Sequence, residues 1–210
     1  PEDSLYVFDE GHQLPAKCLN QFALRFYSGG TLQGLRDSER WLAASAEAWV
    51  AQGLDERLIP AMTSLVGDLI QRSEDIAELL WLLLPEADFE RAEHRFPHGR
   101  VPADLAEQAT GLAAQWDQLH REATRLEAAL ENSQTSGSSL VDSAITGAGD
   151  PDLNLANAQG LAARADQQLA VWRAFADAPG EGEPGDGWAR WCQHRGTPQS
   201  VECQASPILP

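Results

Sequence analysis

Basic residues are scarce in this 210-residue chain. Fifteen lysines and arginines stand against 32 aspartates and glutamates, a formal charge of −17. So acidic a body is excluded as a general duplex-DNA coat or an anionic-membrane binder, because both need a basic footprint. A local basic strip on it is not excluded. Cysteine is equally sparse: Cys18, Cys192 and Cys203 are too few for a disulfide framework at this length, so a reducing compartment is the default. Nor do the three have the spacing of zinc or iron–sulfur ligands. Long apolar runs are missing as well. The longest, residues 79–84, has six residues, against roughly 20 needed to cross a bilayer. The first residues, Pro1-Glu2-Asp3-Ser4, carry neither an initiator Met nor the basic-then-apolar order of a signal peptide. The expectation is therefore a piece of a longer chain.

What is present is mostly helical periodicity. From Leu14 to about Asp177 apolar residues recur at helical spacing. Thr31 is a candidate N-cap for a segment carrying Leu32, Leu35, Trp41, Leu42, Ala46 and Trp49 and closed by Gly53. Asp55 is a candidate cap for the next, with Pro60 tolerated near its start and Pro85 ending it. Leu105, Ala109, Leu112, Trp116, Leu119, Ala123, Leu126 and Leu130 step by alternating fours and threes, the seam of a bundle helix. A serine-rich break at 133–139 ends it, and a last helix carries Ala158, Leu161, Ala165, Leu169, Trp172 and Ala176. Helices of this length with short breaks bury their stripes by antiparallel packing. The expected fold class is mainly α: an antiparallel helical bundle with a small C-terminal β-hairpin and a remnant strand near the N-terminus.

The hairpin follows a Gly/Pro-rich loop at 179–187, with strands over 188–195 and 200–209 around a turn at 196–199. In that register, facing positions sum to 395, and Cys192 lies opposite Cys203. The bland reading is two reduced, half-buried thiols. The remnant strand is residues 5–8, Leu-Tyr-Val-Phe, a short apolar run of the kind buried in parallel sheets.

That run ends in Asp9-Glu10-Gly11-His12-Gln13-Leu14-Pro15. A carboxylate at the end of a buried strand can hold Mg²⁺ through water, and a second beside it can deprotonate the water that attacks a nucleotide. An apolar tetrad followed by Asp-Glu is common; the full heptapeptide is far more specific. It resembles the motor motif of DEAH-box, XPD-like iron–sulfur helicases, and most closely that of the DinG family. Glu93-His94-Arg95-Phe96, with Gly99 and Pro102 following, is similar to a stretch within the arch domain of that family.

The resemblance implies an ATP-dependent 5′-to-3′ DNA helicase of the bacterial cytoplasm, acting in repair or replication and partnered by single-stranded DNA and proteins of those processes. Asp9 would be the Mg²⁺ residue, Glu10 the general base and His12 the coupler of nucleotide state to motion. ATP, Mg²⁺ and a 4Fe–4S cluster would belong to the full-length enzyme, with no membrane partner. The implied layout is a motor remnant at 1–15, a helical arch domain at 16–187 and a hairpin returning to the motor at 188–210. No Gly-Lys-Ser/Thr phosphate cradle exists in the chain, whose single lysine is Lys17, so the chain alone is expected to be inactive.

For DNA contact the densest candidates are Arg91, His94, Arg95, Phe96, His98 and Arg100, because single-strand channels combine cations with aromatic platforms. Glu90 and Glu93 lie among them, so the competing reading is a solvated inter-helix loop with local salt bridges. Trp41, Trp49, Trp81, Trp116 and Trp172 sit on apolar stripes and are read as core, and His120 as solvated. The functional alternative is an acidic helical-bundle protein-interaction module without catalysis.

Overall fold

The computed structural model describes residues 23–51, 53–84, 92–135, 150–180, 183–194, 197 and 200–208. Four long helices carry most of them: α1 (Ser28–Ala51), α2 (Leu58–Leu83), α3 (Ala103–Thr135) and α4 (Pro151–Ala176).

Their ends follow local chemistry. Helix α1 begins at Ser28, three residues before Thr31, which is buried inside the helix rather than capping it. It closes at Gly53, whose φ of +91° costs glycine little. There the Gly53 N–H donates to the Val50 carbonyl and the Leu54 N–H to the Trp49 carbonyl, both at 3.0 Å, the bond pair of a Schellman stop. Asp55 acts two residues ahead of the α2 N-cap, Arg57. Its carboxylate accepts from the Arg57 N–H at 3.0 Å, and its carbonyl from the Leu58 N–H. Pro60 falls in the first turn, where a missing N–H costs nothing. Helix α4 starts on Asp150, whose side chain accepts from the Asp152 N–H, with Pro151 at the first position.

Contacts between the helices give the order of the bundle. Arg36 meets Glu74 at 2.6 Å between α1 and α2, and Arg72 lies over Gly111 between α2 and α3. Asp117 and His120 of α3 face Arg173 and Ala162 of α4. The Trp41 indole N–H donates to Asn154 at 3.0 Å, joining α1 to α4. Sequence neighbours run antiparallel. The alternating seam of α3, from Leu105 to Leu130, is buried throughout, and each Leu or Trp so buried contributes about 2 kcal/mol of transfer free energy. Trp49, Trp116 and Trp172 are fully buried, and Trp41 and Trp81 pack against the core from its edge.

One end of the bundle is closed by a four-stranded antiparallel sheet: β1 (Leu24–Tyr27), β2 (Ala92–Arg95), β3 (Trp188–His194) and β4 (Val201–Pro207), in spatial order β1-β4-β3-β2. The β3–β4 hairpin has the expected register, with Cys192 opposite Cys203 and Trp188 opposite Pro207. Strands β1 and β2 correct the expectation that the pattern from 14 to 177 is helical alone, with no strand in it. Each is four residues long and flanks the hairpin, β1 pairing Leu24 with Ala205 and β2 pairing His94 with Cys192. The remnant strand at 5–8 lies outside the described residues.

The sheet's inner face carries Phe26, Cys192, Cys203 and Val201, all fully buried. The Phe26 ring packs against Trp172 of α4 at 4.9 Å.

Candidate nucleic-acid interface

Asp9, Glu10, His12 and Arg91 lie outside the described residues. The other members of the basic cluster do not sit in an inter-helix loop. They occupy edge strand β2 and the 3₁₀ turn after it, Pro97–Gly99. Pleating then separates them, because successive side chains of a strand point to opposite faces.

Arg95 faces outward with its side chain 83% exposed, and its Nε donates to Glu93 at 2.5 Å. The bond and charge of Glu93 raise the arginine's pKa above its ordinary value. Phe96 faces inward and is 4% exposed, its ring 6.1 Å from Phe175 and 4.9 Å from the part-buried His94. It is a core residue and not a surface platform for bases. Arg100 donates through Nη2 to the Glu183 carbonyl and ties the turn to the Gly/Pro-rich loop, while its Nε is buried with no partner. His98 is exposed with φ +55°. The cluster that is dense in sequence is therefore divided: Arg95 is presented to solvent, Phe96 belongs to the core, and Arg100 is used in a loop contact.

Periodicity gave no signal for Arg190. It lies on β3, 2% exposed, and its guanidinium fork is filled. Nε donates to the Ala174 carbonyl at 2.6 Å, and Nη1 to the Gly99 carbonyl at 3.0 Å. Nη1 and Nη2 also grip Asp186 at 3.1 and 2.5 Å, the bidentate geometry that makes Arg–carboxylate pairs strong. One side chain thus joins the end of α4, the 3₁₀ turn, the loop and the sheet. The Asp186 carboxyl is held below its ordinary pKa, first by the Arg190 bond and against the cost of partial burial. Gly99 is required beside it. Its φ is +72°, and a Cβ there would collide with the Trp188 carbonyl oxygen and approach Arg190 Nη1 to 2.8 Å.

The face of the sheet away from the core shows a row that the linear sequence hides, with Arg25 and Arg95 exposed, Trp191 part-buried and Gln204 only 5% exposed. Register places Arg25, Gln204, Trp191 and Arg95 side by side across β1, β4, β3 and β2. The next row is Tyr27, Glu202, Gln193 and Glu93. Both Glu202 oxygens are occupied by amides, from Gln193 at 2.8 Å and Gln204 at 2.7 Å.

Two other features bear on chemistry. Cys192 and Cys203 are free, fully buried thiols. Burial pushes Cys192 up to about 12 and Cys203 well above its ordinary value, so neither is a nucleophile at neutral pH. A groove of about 340 Å³ between α2 and α3 is lined by Asp75, Leu79, Asp104, Glu107 and Gln108. Among the described residues no group of three or more His, Cys, Asp or Glu is placed to hold a metal. No described helix is long and apolar enough to cross a membrane. His120, expected to be solvated, is part-buried and donates through Nδ1 to the Ala162 carbonyl at 3.1 Å.

Comparison with family models and with curated proteins gives no match for this chain.

Proposed function

We propose that this chain is the arch-domain portion of an ATP-dependent 5′-to-3′ DNA helicase of the DinG type, acting in repair or replication in the bacterial cytoplasm. The observation that carries the reading is the string Asp9-Glu10-Gly11-His12-Gln13-Leu14-Pro15 directly after an apolar tetrad. Asp9 would hold Mg²⁺ through water, Glu10 would orient and deprotonate the attacking water, and His12 would pass the state of the site to neighbouring elements. Bound ATP and Mg²⁺ supply the phosphoryl chemistry, and the phosphate cradle would come from another part of the enzyme. The donor set does not suit a 4Fe–4S cluster, which takes four thiolates where the sequence has three cysteines. On this reading the cluster ligands also lie elsewhere.

The fold supports an inserted domain. A domain placed within another must send its two chain ends back to one spot. Strand β1, the first described element, pairs residue for residue with β4, the last. The four-helix body would join the motor through that sheet and clamp single-stranded DNA against it. The acidic groove between α2 and α3 is the one feature that favours the other reading, an interaction module for basic partners.

The deciding experiment is Glu10→Gln in the intact enzyme. Hydrolysis of ATP and unwinding are expected to be lost while single-strand binding persists. Hydrolysis at the normal rate would overturn the proposal. The parent gene offers an independent check, since a Gly-Lys-Ser/Thr loop followed by four spaced cysteines upstream of Asp9 is required.

A further inference from the structure

Single-strand binding surfaces combine aromatic faces, on which any base can stack, with cations that follow the backbone. The sheet sets a partly exposed aromatic, Trp191, directly beside an exposed arginine, Arg95, in the row Arg25–Gln204–Trp191–Arg95. We infer that the Trp191–Arg95 part of this row is a contact site for single-stranded DNA, with a base stacked on Trp191 and a flanking phosphate met by Arg95. The inference rests on the helicase reading for its ligand but on the sheet alone for its geometry.

The row needs all four strands, so no window of the sequence contains it. It also lies on the sheet that holds both the first and the last described strand, the side of the domain nearest the motor on the proposed reading.

Two carboxylates of the neighbouring row, Glu202 and Glu93, are held differently. Glu202 is held by the two glutamine amides and remains part of the sheet. Glu93 is bonded to Arg95 itself, so a phosphate must displace it to reach the guanidinium. Glu93 is thereby a competitor built into the site.

The test is titration of the 210-residue chain with a dodecamer of thymidylate at low ionic strength, following the Trp191 indole N–H by NMR, its signal assigned by its loss in Trp191→Phe. The Trp191 signal is expected to move, and Glu93→Gln to lower the midpoint about threefold or more. Arg95→Ala should raise the midpoint and reduce the slope of log affinity against log salt by about 0.7. Trp191→Ala should weaken binding roughly tenfold, judged by shifts of the other row residues. Arg95 is exposed, so its variants test binding without a folding penalty, which circular dichroism verifies. A static Trp191 signal, or a midpoint unmoved by both Glu93→Gln and Arg95→Ala, overturns the site. If Glu10→Gln abolishes hydrolysis in the intact enzyme while Trp191 stays static, the row is wrong and the helicase reading stands. If Trp191 responds as described while Glu10→Gln hydrolyses ATP normally, the row stands and the helicase reading falls.

Discussion

Replacing Arg190 by alanine removes the one side chain that touches the sheet, the end of α4, the 3₁₀ turn and the Gly/Pro-rich loop together. Its fork makes four hydrogen bonds, two to the Asp186 carboxylate and one each to the carbonyls of Ala174 and Gly99. Asp186, partly open to water, can resolvate after the change. The Gly99 carbonyl belongs to a buried residue and loses its partner. Bonds involving a charged group contribute about 1.5–3 kcal/mol each where buried, and orphaned acceptors cost about 1–3. Allowing for Asp186's exposure, the expected loss is about 3–5 kcal/mol, the usual range when one half of a buried pair is deleted. For a domain of this size that lowers Tm by about 10 °C. Urea unfolding followed by circular dichroism measures it. Arg190→Met, which restores most of the volume, separates lost packing from lost bonds. A loss under about 1 kcal/mol in Arg190→Ala would refute the role. The same pair has a pH signature. Because Arg190 holds the Asp186 carboxyl below its ordinary value, the pair's contribution is full above about pH 4, the ordinary unfolded value for Asp, and is lost as pH falls through the folded value. Asp186→Asn should therefore be less stable than the parent chain at pH 7, by an amount that shrinks as pH falls below about 4.

Gly99→Ala should destabilise the fold by about 2 kcal/mol or more in the same assay, since it forces a side chain into positive φ and against the Trp188 carbonyl; a neutral effect would contradict the turn geometry. In a Cys18→Ser chain the two remaining thiols should resist an aromatic disulfide reagent at pH 8 and both react after unfolding, because burial holds them protonated. The same burial makes stability fall as pH rises from about 8.5 toward 12, since the unfolded thiols ionise first; a flat stability curve across that window would count against it.

Much of this architecture could be read before any coordinates, where one rule dominated each segment. The alternating seam of α3 and the tryptophan stripes are consequences of 3.6-residue periodicity, and every seam position is buried. The hairpin register followed from turn chemistry and strand length, and it placed Cys192 opposite Cys203 correctly. Strands β1 and β2 were illegible for a physical reason. Four residues such as Leu-Arg-Phe-Tyr or Ala-Glu-His-Arg are too few to establish a period of two, and their pairing partners lie about 100 or more residues away. Short edge strands are specified by the sheet they join and not by their own propensity. Arg190 was invisible for a related reason: each of its bonds leaves its own strand.

The missed strands change what the basic cluster can be. Read as a loop, Arg91 to Arg100 would present every side chain to one ligand. In the edge strand Ala92–Arg95 successive side chains must alternate, so Phe96, next in that alternation, enters the core and Arg95 joins a row with Trp191, nearly 100 positions later. A site inferred from density along the chain therefore gives way to one set by register. Register is strict here, because a slip of one residue in any strand would bring its own inward residue, Phe26 on β1, Cys192 on β3 or Cys203 on β4, out of the core. The same burial that fixes the inner face fixes which four side chains meet on the outer one. If the sheet's inner face is correct, the juxtaposition of Arg25, Trp191 and Arg95 follows from it without further assumption.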